Sequence, residues 1–346
     1  MNDTVMNVDH RPVMTLLGRC PAYKSTSMGE AEDLASSAGI EKLWVKNEAE
    51  RMGLGSFKAL GGSYAILQML AASAGMSDND IDIDDPVFKQ AASEITFVCA
   101  TAGNHGLSVA AAASVFGARA EVYLADSVPE SFAERLRAKG ATVVRRGAVY
   151  ADSLDGALAA SEQPGYQLIA DTSWPGYIEI PRLIYQGYTA LAEECRNDFT
   201  EMAQWPSHVF LQAGVGGMAA AVAAHIRQWW PQQPEIIIVE PDAAPCLGRS
   251  IAAGKMLEVD GPVSNMGRLD CKEPSLLTFE SLKHTADRFI EITDAEADGS
   301  TELLASAGFP STPSGTAGFA ALLKLRAQNA LPDNARCLVI VSEGSE

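Results

Sequence analysis

The sequence predicts an α/β protein made of doubly wound parallel sheets in two domains, with a cleft between them. Three observations predict it. From about residue 95, short runs rich in β-branched residues alternate with longer stretches of helical period. Those runs are continuously apolar rather than alternating, as strands covered on both faces must be. The chain has 346 residues, 47% of them hydrophobic, which is enough apolar material for two cores.

Taken in order, the strand-like runs are residues 43–46, 95–99, 121–124, 142–144, 167–170, 209–211, 236–239 and 337–341. Helix-period stretches lie between most of them, at 105–116, 130–139, 150–161 and 218–230. The polar stretch 77–86 reads as a linker. Residues 260–275, rich in Gly, Pro and charge, are long for a structureless loop, so they are either an active-site element or regular structure that the pattern hides. The expected division is a larger domain from 1–85 and 185–346 and a smaller α/β domain from 86–184. Ligands of such sheets bind beyond the carboxyl ends of the strands, so motifs at those ends count most.

Composition excludes several partners. A formal net charge of −18 repels phosphate backbones and anionic membranes, so neither nucleic acid nor membrane is expected. No apolar run approaches the roughly 18 residues needed to span a bilayer. The first eleven residues carry acids and no apolar core, so no export signal is expected. The six cysteines are scattered without a CxxC, as for reduced thiols of a cytoplasmic protein. The five histidines have no metal-ligand spacing, and no metal is expected.

Three strand ends carry chemistry. After the run 43–46 comes Gly53-Leu54-Gly55-Ser56-Phe57-Lys58, and Lys58 then opens a helix with Gly61 and Gly62. A cation there opposes the helix dipole. Its apolar and glycine-rich neighbours suit a partly desolvated amine of lowered pKa, which Schiff-base chemistry needs. A solvated surface lysine is the plain alternative. The second end is Thr101-Ala102-Gly103-Asn104-His105-Gly106. Amides at a helix start favour a carboxylate, and Asn104 suits a neutral or phenolic oxygen. A tight turn with an Asn cap would read the same. The third is Gly214-Val215-Gly216-Gly217-Met218, a loop that can cradle phosphate. It also fits a dinucleotide fingerprint, with Glu240 placed to hold a ribose. That rival, a nicotinamide-dependent oxidoreductase, gives Lys58 and the Asn104 loop no task.

All three motifs, in this order, resemble those of the fold-type-II pyridoxal-phosphate enzymes, the tryptophan-synthase-β-like group. The resemblance implies that pyridoxal 5'-phosphate is the cofactor. Lys58, beside Phe57, would bind its aldehyde and Asn104 its phenolic oxygen. Gly214, Val215, Gly216, Gly217 and Met218 would hold the phosphate, and Ser342 would meet the pyridine nitrogen. Thr101, Ala102, Gly103, Asn104 and His105 would bind the substrate carboxylate. The chain is particularly similar to the diaminopropionate ammonia-lyase family, through residues 50–64, 170–181, 186–188, 239–242 and 271–274.

That likeness implies α,β-elimination on a small β-substituted amino acid, with 2,3-diaminopropionate giving pyruvate and ammonia. It implies a homodimer. Lys58 would take the Cα proton. Asp171, with a pKa raised by burial, would protonate the leaving amine; a helix N-cap is its alternative role. Trp174 and Tyr177 are expected in the cleft wall or core, and His105 as a polar residue without a proton role. The chain departs from the family in three places. Ala102 stands where the family usually has Asp. Arg268 and Lys272 stand where it tends to have small residues. The stretch Thr312-Pro313-Ser314-Gly315-Thr316 lacks the family's Glu. A hydroxy-amino-acid dehydratase and a non-catalytic binding protein remain as alternatives.

Overall fold

In the computed structural model, which describes residues 6–101 and 103–345, the continuous apolar runs become strands of two sheets. The smaller sheet contains β3 (Thr96–Ala100), β4 (Arg119–Leu124), β5 (Thr142–Arg145) and β6 (Tyr166–Leu168). Its order is β5-β4-β3-β6, parallel throughout. The larger contains β1 (Met28–Glu30), β2 (Lys42–Asn47), β7 (His208–Gln212), β8 (Glu235–Pro241), β9 (Arg288–Ile292) and β10 (Arg336–Val341). Its order is β1-β2-β10-β7-β8-β9, and only β1 runs antiparallel to its neighbour. The expected helices form at Asn104–Phe116, Glu130–Ala138, Tyr150–Ser161 and Gly217–Trp229. Two strands lie outside the expected set, β1 and β9. Both are edges, and an edge strand needs no continuous apolar run.

The helix Lys58–Ser73 runs through the middle of the molecule, packed on the helices Asn104–Phe116 and Glu179–Met202. It crosses the latter at a pair of glycines. A Cβ on Gly187 would sit 2.8 Å from Gly61 Cα, and one on Gly61 would sit 2.4 Å from the Tyr188 ring. Only glycine admits so close an approach. This crossing seats the amino end of the Lys58 helix deep between the sheets.

Beneath that end lies a cluster of buried charges. Lys46 Nζ donates to Glu194 at 2.7 Å, and Arg51 donates to both Glu48 and Glu194 at 2.7 Å. Tyr23 and Thr26 complete the carboxylate oxygens. A second cluster pins the segment before the first helix. His10 and His225 meet at 3.1 Å beside Glu193, whose two oxygens Arg196 holds.

The carboxyl ends of β2 and β10 meet those of β3 and β6 at one cleft, which the Lys58–Asp171 and Asn104–Glu343 contacts cross. The main chain laces the loop after β2 to the end of β10. Phe57 N donates to Ser342 O, Gly344 N to Gly55 O, and Glu48 N to Val341 O. Lys58 is thereby fixed beside the end of β10.

Candidate active site

Lys58 is the first residue of its helix, and no acid in the first turn offsets the dipole. Its carbonyl accepts from Ser108 Oγ at 2.8 Å. Its amine donates to Asp171 in a short ion pair across the cleft. The side chains of Lys58 and Asp171 are 23% and 21% exposed, so a small molecule can reach both. Burial alone would lower the lysine pKa, but the Asp171 carboxylate outweighs it and raises it. Burial alone would raise the Asp171 pKa, but His105 and Lys58 hold it well below the usual carboxylate range. Two expectations are therefore corrected. Lys58 is not an amine of lowered pKa while Asp171 faces it, and Asp171 is an anion rather than a raised-pKa acid. The cause is the same contact, made by residues far apart in sequence.

Asp171 is not a helix cap either. The next helix starts at Glu179 after Ile178, without a side-chain cap. Instead its carbonyl accepts from Tyr185 Oη at 2.9 Å. His105 is buried inside the helix Asn104–Phe116 rather than in a loop. Its Nε2 contacts the Ile169 carbonyl at 2.8 Å, so that nitrogen carries the proton. Its Nδ1 lies 3.9 Å from Asp171 Oδ2. His105 thus backs the carboxylate that faces Lys58.

The loop around Asn104 closes on itself: Gly103 N donates to Thr101 Oγ1 at 3.0 Å. The Asn104 amide donates to Glu343, which also accepts from Thr312 Oγ1. Glu343 therefore ties this loop to the larger sheet. Ala102 lies outside the described residues.

Gly216 has φ +96°, a left-handed conformation that favours glycine, and opens the helix Gly217–Trp229. The first amides of a helix have no acceptor within it, and the dipole is positive there. Val215 O accepts from Thr278 Oγ1 at 2.6 Å and from Ser275 N at 3.2 Å, which fixes the loop. Gly214 is backed by Cys271 Sγ and the Arg268 carbonyl, Gly217 by the Tyr185 ring, and Met218 is buried. The donor set in one cleft is an amine, helix-start amides and the Ser342 end of β10. That combination fits an aldehyde, a phosphate and a heteroaromatic nitrogen.

Glu240, proposed to hold a ribose, is buried. It accepts from Leu247 N at 2.7 Å and Gly248 N at 2.8 Å, with burial pushing its pKa up to about 7. It is spent inside the fold, which removes the nicotinamide reading. Lys272 is likewise spent, on Asp270 and the carbonyls of Ala243 and Pro262. Arg268 alone of that basic pair faces the Asn104 loop. Trp174 stacks on Tyr177 at 4.4 Å, and the Tyr177 hydroxyl bonds the backbone of Leu168 and Ala170, so both build the wall.

Four residues here carried no sequence signal of their own. Ser275, Tyr185 and Glu343 act through contacts made only by the fold. Tyr150 begins the helix Tyr150–Ser161 at the rim. About half exposed, it lies within reach of the Asp171 and Lys58 charges.

Comparison with known proteins finds relatives along nearly the whole chain. Residues 20–343 match the family described as pyridoxal-phosphate dependent enzyme. Diaminopropionate ammonia-lyase from Escherichia coli (strain K12) is 37% identical over 278 residues, covering 80% of this chain and 69% of that one. The Salmonella typhimurium enzyme of that name is 34% identical over 299 residues, covering 84% and 74%. The E. coli enzyme's crystal structure, in complex with an aminoacrylate-PLP azomethine reaction intermediate, superposes with a TM-score of 0.88. It is 31% identical, covering 99% of this chain and 90% of that one.

Proposed function

This chain belongs to the pyridoxal-phosphate-dependent enzymes, and we propose that it eliminates the β-amino group of 2,3-diaminopropionate, giving pyruvate and ammonia. The observation that carries the reading is the Asp171 carboxylate held on the Lys58 amine at an accessible cleft floor. Similarity to the ammonia-lyases supplies the substrate, and this geometry supplies a reason for it.

When bound, the cofactor supplies an electron sink for the charge left at Cα. The rest falls to the chain's own residues. The Lys58 amine meets the aldehyde and is the base placed to hold the Cα proton. The amides after Gly216 and the positive end of their helix hold the phosphate. Ser342 stands for the pyridine nitrogen; a hydroxyl there does not force that nitrogen to be protonated. Asn104 and the Thr101–Gly103 turn hold the phenolic oxygen and the substrate carboxylate. Asp171 is anionic, so its use is to hold the substrate's β-ammonium and keep it protonated. An amine leaves readily only when it is already protonated, departing from the ammonium as ammonia, so this role replaces the one expected of an acid. His105 positions that carboxylate from behind.

We take the enzyme to work as a homodimer in the cytoplasm. The free state of all six cysteines is consistent with a reducing compartment. Among the described residues no helix is long and apolar enough to cross a membrane.

The test is turnover of L-2,3-diaminopropionate, with pyruvate and ammonia both measured. Two ammonia molecules per pyruvate are expected. Turnover of L-serine or L-threonine with none of diaminopropionate would move the reading to a hydroxy-amino-acid dehydratase.

A further inference from the structure

The stretch 266–274 carries two basic residues, Arg268 and Lys272, and the fold puts one of them over the substrate loop. A Cβ added to Gly103 would lie 2.9 Å from Arg268 Nε, 3.0 Å from its Cδ and 3.4 Å from its Cζ. The arginine therefore covers the turn between Thr101 and Asn104. Its backbone is fixed, with Arg268 N donating to Ser314 Oγ at 3.1 Å and its carbonyl packed behind Gly214. Its side chain is about one-third exposed, with Glu343 at 3.8 Å. The same loop carries Ala102 in place of the acid the family usually has there. The turn thus carries no acid of its own between Thr101 and Asn104, and the Arg268 guanidinium lies over it beside Glu343.

We infer that Arg268 binds a second anionic group on the substrate, and that the enzyme also eliminates water from a β-hydroxy amino acid bearing a β-carboxylate, of the 3-hydroxyaspartate type. The inference rests on Lys58 being the reactive lysine, as in the proposed function. A guanidinium offers a carboxylate a planar, charge-assisted pair of hydrogen bonds. The α-carboxylate stays on the Thr101–Asn104 turn, and the β-carboxylate meets Arg268. The Cα–H proton passes to the Lys58 amine. The C–H electron pair becomes the second bond between Cα and Cβ. The Cβ–O bond breaks with its pair on oxygen, which leaves as water after taking a proton back from Lys58. Hydrolysis of the released enamine consumes one water and gives oxaloacetate and ammonia, so no oxidant is needed. A β-ammonium would be repelled by the same guanidinium, so Arg268 works against diaminopropionate.

The test compares wild type and Arg268→Gln on L-threo-3-hydroxyaspartate, L-serine and L-2,3-diaminopropionate. Binding of succinate and of propionate is measured by calorimetry on the same holoenzymes. Wild type is expected to form oxaloacetate. Arg268→Gln is expected to raise KM for hydroxyaspartate by about 10- to 100-fold, the worth of a charge-assisted hydrogen bond. KM for serine is expected to move less than about threefold, within the spread of a surface substitution. Succinate should bind wild type more tightly than propionate does, and lose that advantage in the variant. No turnover of hydroxyaspartate by a wild type active on diaminopropionate overturns the inference and leaves the proposed function intact. An equal KM rise on all three substrates also overturns it, because Arg268 would then serve the shared α-carboxylate.

Discussion

Lys46 and Lys58 lie twelve residues apart on adjoining elements, and each faces a carboxylate. Around Lys46 every charge is matched: Glu194 and Glu48 take Lys46, Arg51, Tyr23 and Thr26, and the Lys46 and Glu194 side chains are 0% and 2% exposed. Around Lys58 the match is a single ion pair with an open side, backed by one histidine. The first arrangement holds the floor of the cleft rigid, and breaking it strands a buried charge. The second can be opened, because substrate and cofactor bring new partners to both of its ends. What separates a structural lysine from a reactive one here is completeness of pairing, not burial.

That contrast can be broken at either end. The largest effect is expected at the open pair. Asp171→Asn should lower kcat on diaminopropionate by about 10²–10⁴-fold while leaving thermal stability close to wild type, because the anion that keeps the leaving amine protonated is lost from an accessible site. Steady-state kinetics beside a melting curve checks it, and a large stability loss with unchanged kcat would reverse the assignment.

At the closed cluster the prediction inverts. Glu194→Gln leaves Lys46 and Arg51 short of a counter-charge and should cost roughly 3–5 kcal/mol of stability. The kcat of the folded fraction should stay near wild type. Denaturant unfolding monitored by circular dichroism measures it.

A smaller effect concerns pH. Burial would raise the Glu193 pKa, but hydrogen bonds from Arg196 and His225 hold it at about 2, against an ordinary value of 4.5. A carboxyl lowered on folding gives stability that is complete above pH 4.5 and is lost as pH falls toward 2. Glu193→Gln should flatten that acid limb of the stability curve, by up to about 3 kcal/mol. An unchanged limb would show that Glu193 is not so held.

The smallest effect is stereochemical. Ala102 stands where the ammonia-lyase family usually has Asp, and an alanine side chain can take no proton. The chain should prefer L-diaminopropionate, and Ala102→Asp should raise D-activity relative to L-activity by about tenfold or more, the low end of what a placed base contributes. Equal rates on the two enantiomers in wild type would end that argument.

Much of the fold was legible because buried parallel strands carry continuous apolar runs, as at 97–100 in β3, 209–211 in β7, 236–239 in β8 and 337–341 in β10. The edge strand β9 was not, since Arg288 and Glu291 break its pattern. The cofactor side of the cleft was legible for a similar reason: glycines at a strand end and a lysine at a helix start are local features. Asp171 was named, but its ionic state was not. That state depends on Lys58, 113 residues away, and on His105. Lys46 reads in sequence as an ordinary strand lysine, and only the fold reveals its burial. Arg268 and Lys272 looked alike, and only the fold shows Lys272 on the carbonyls of Ala243 and Pro262 and Arg268 beside Gly103.

The most direct test of the account is the visible absorbance of the purified protein and of its two lysine variants. Wild type is expected to show the band of pyridoxal phosphate joined to a lysine. Lys58→Ala should remain folded by circular dichroism and lose that band along with turnover. Lys46→Met should melt earlier yet keep the band while it is folded. A band that survives in Lys58→Ala, or that disappears from folded Lys46→Met instead, would contradict the assignment of Lys58 as the reactive lysine.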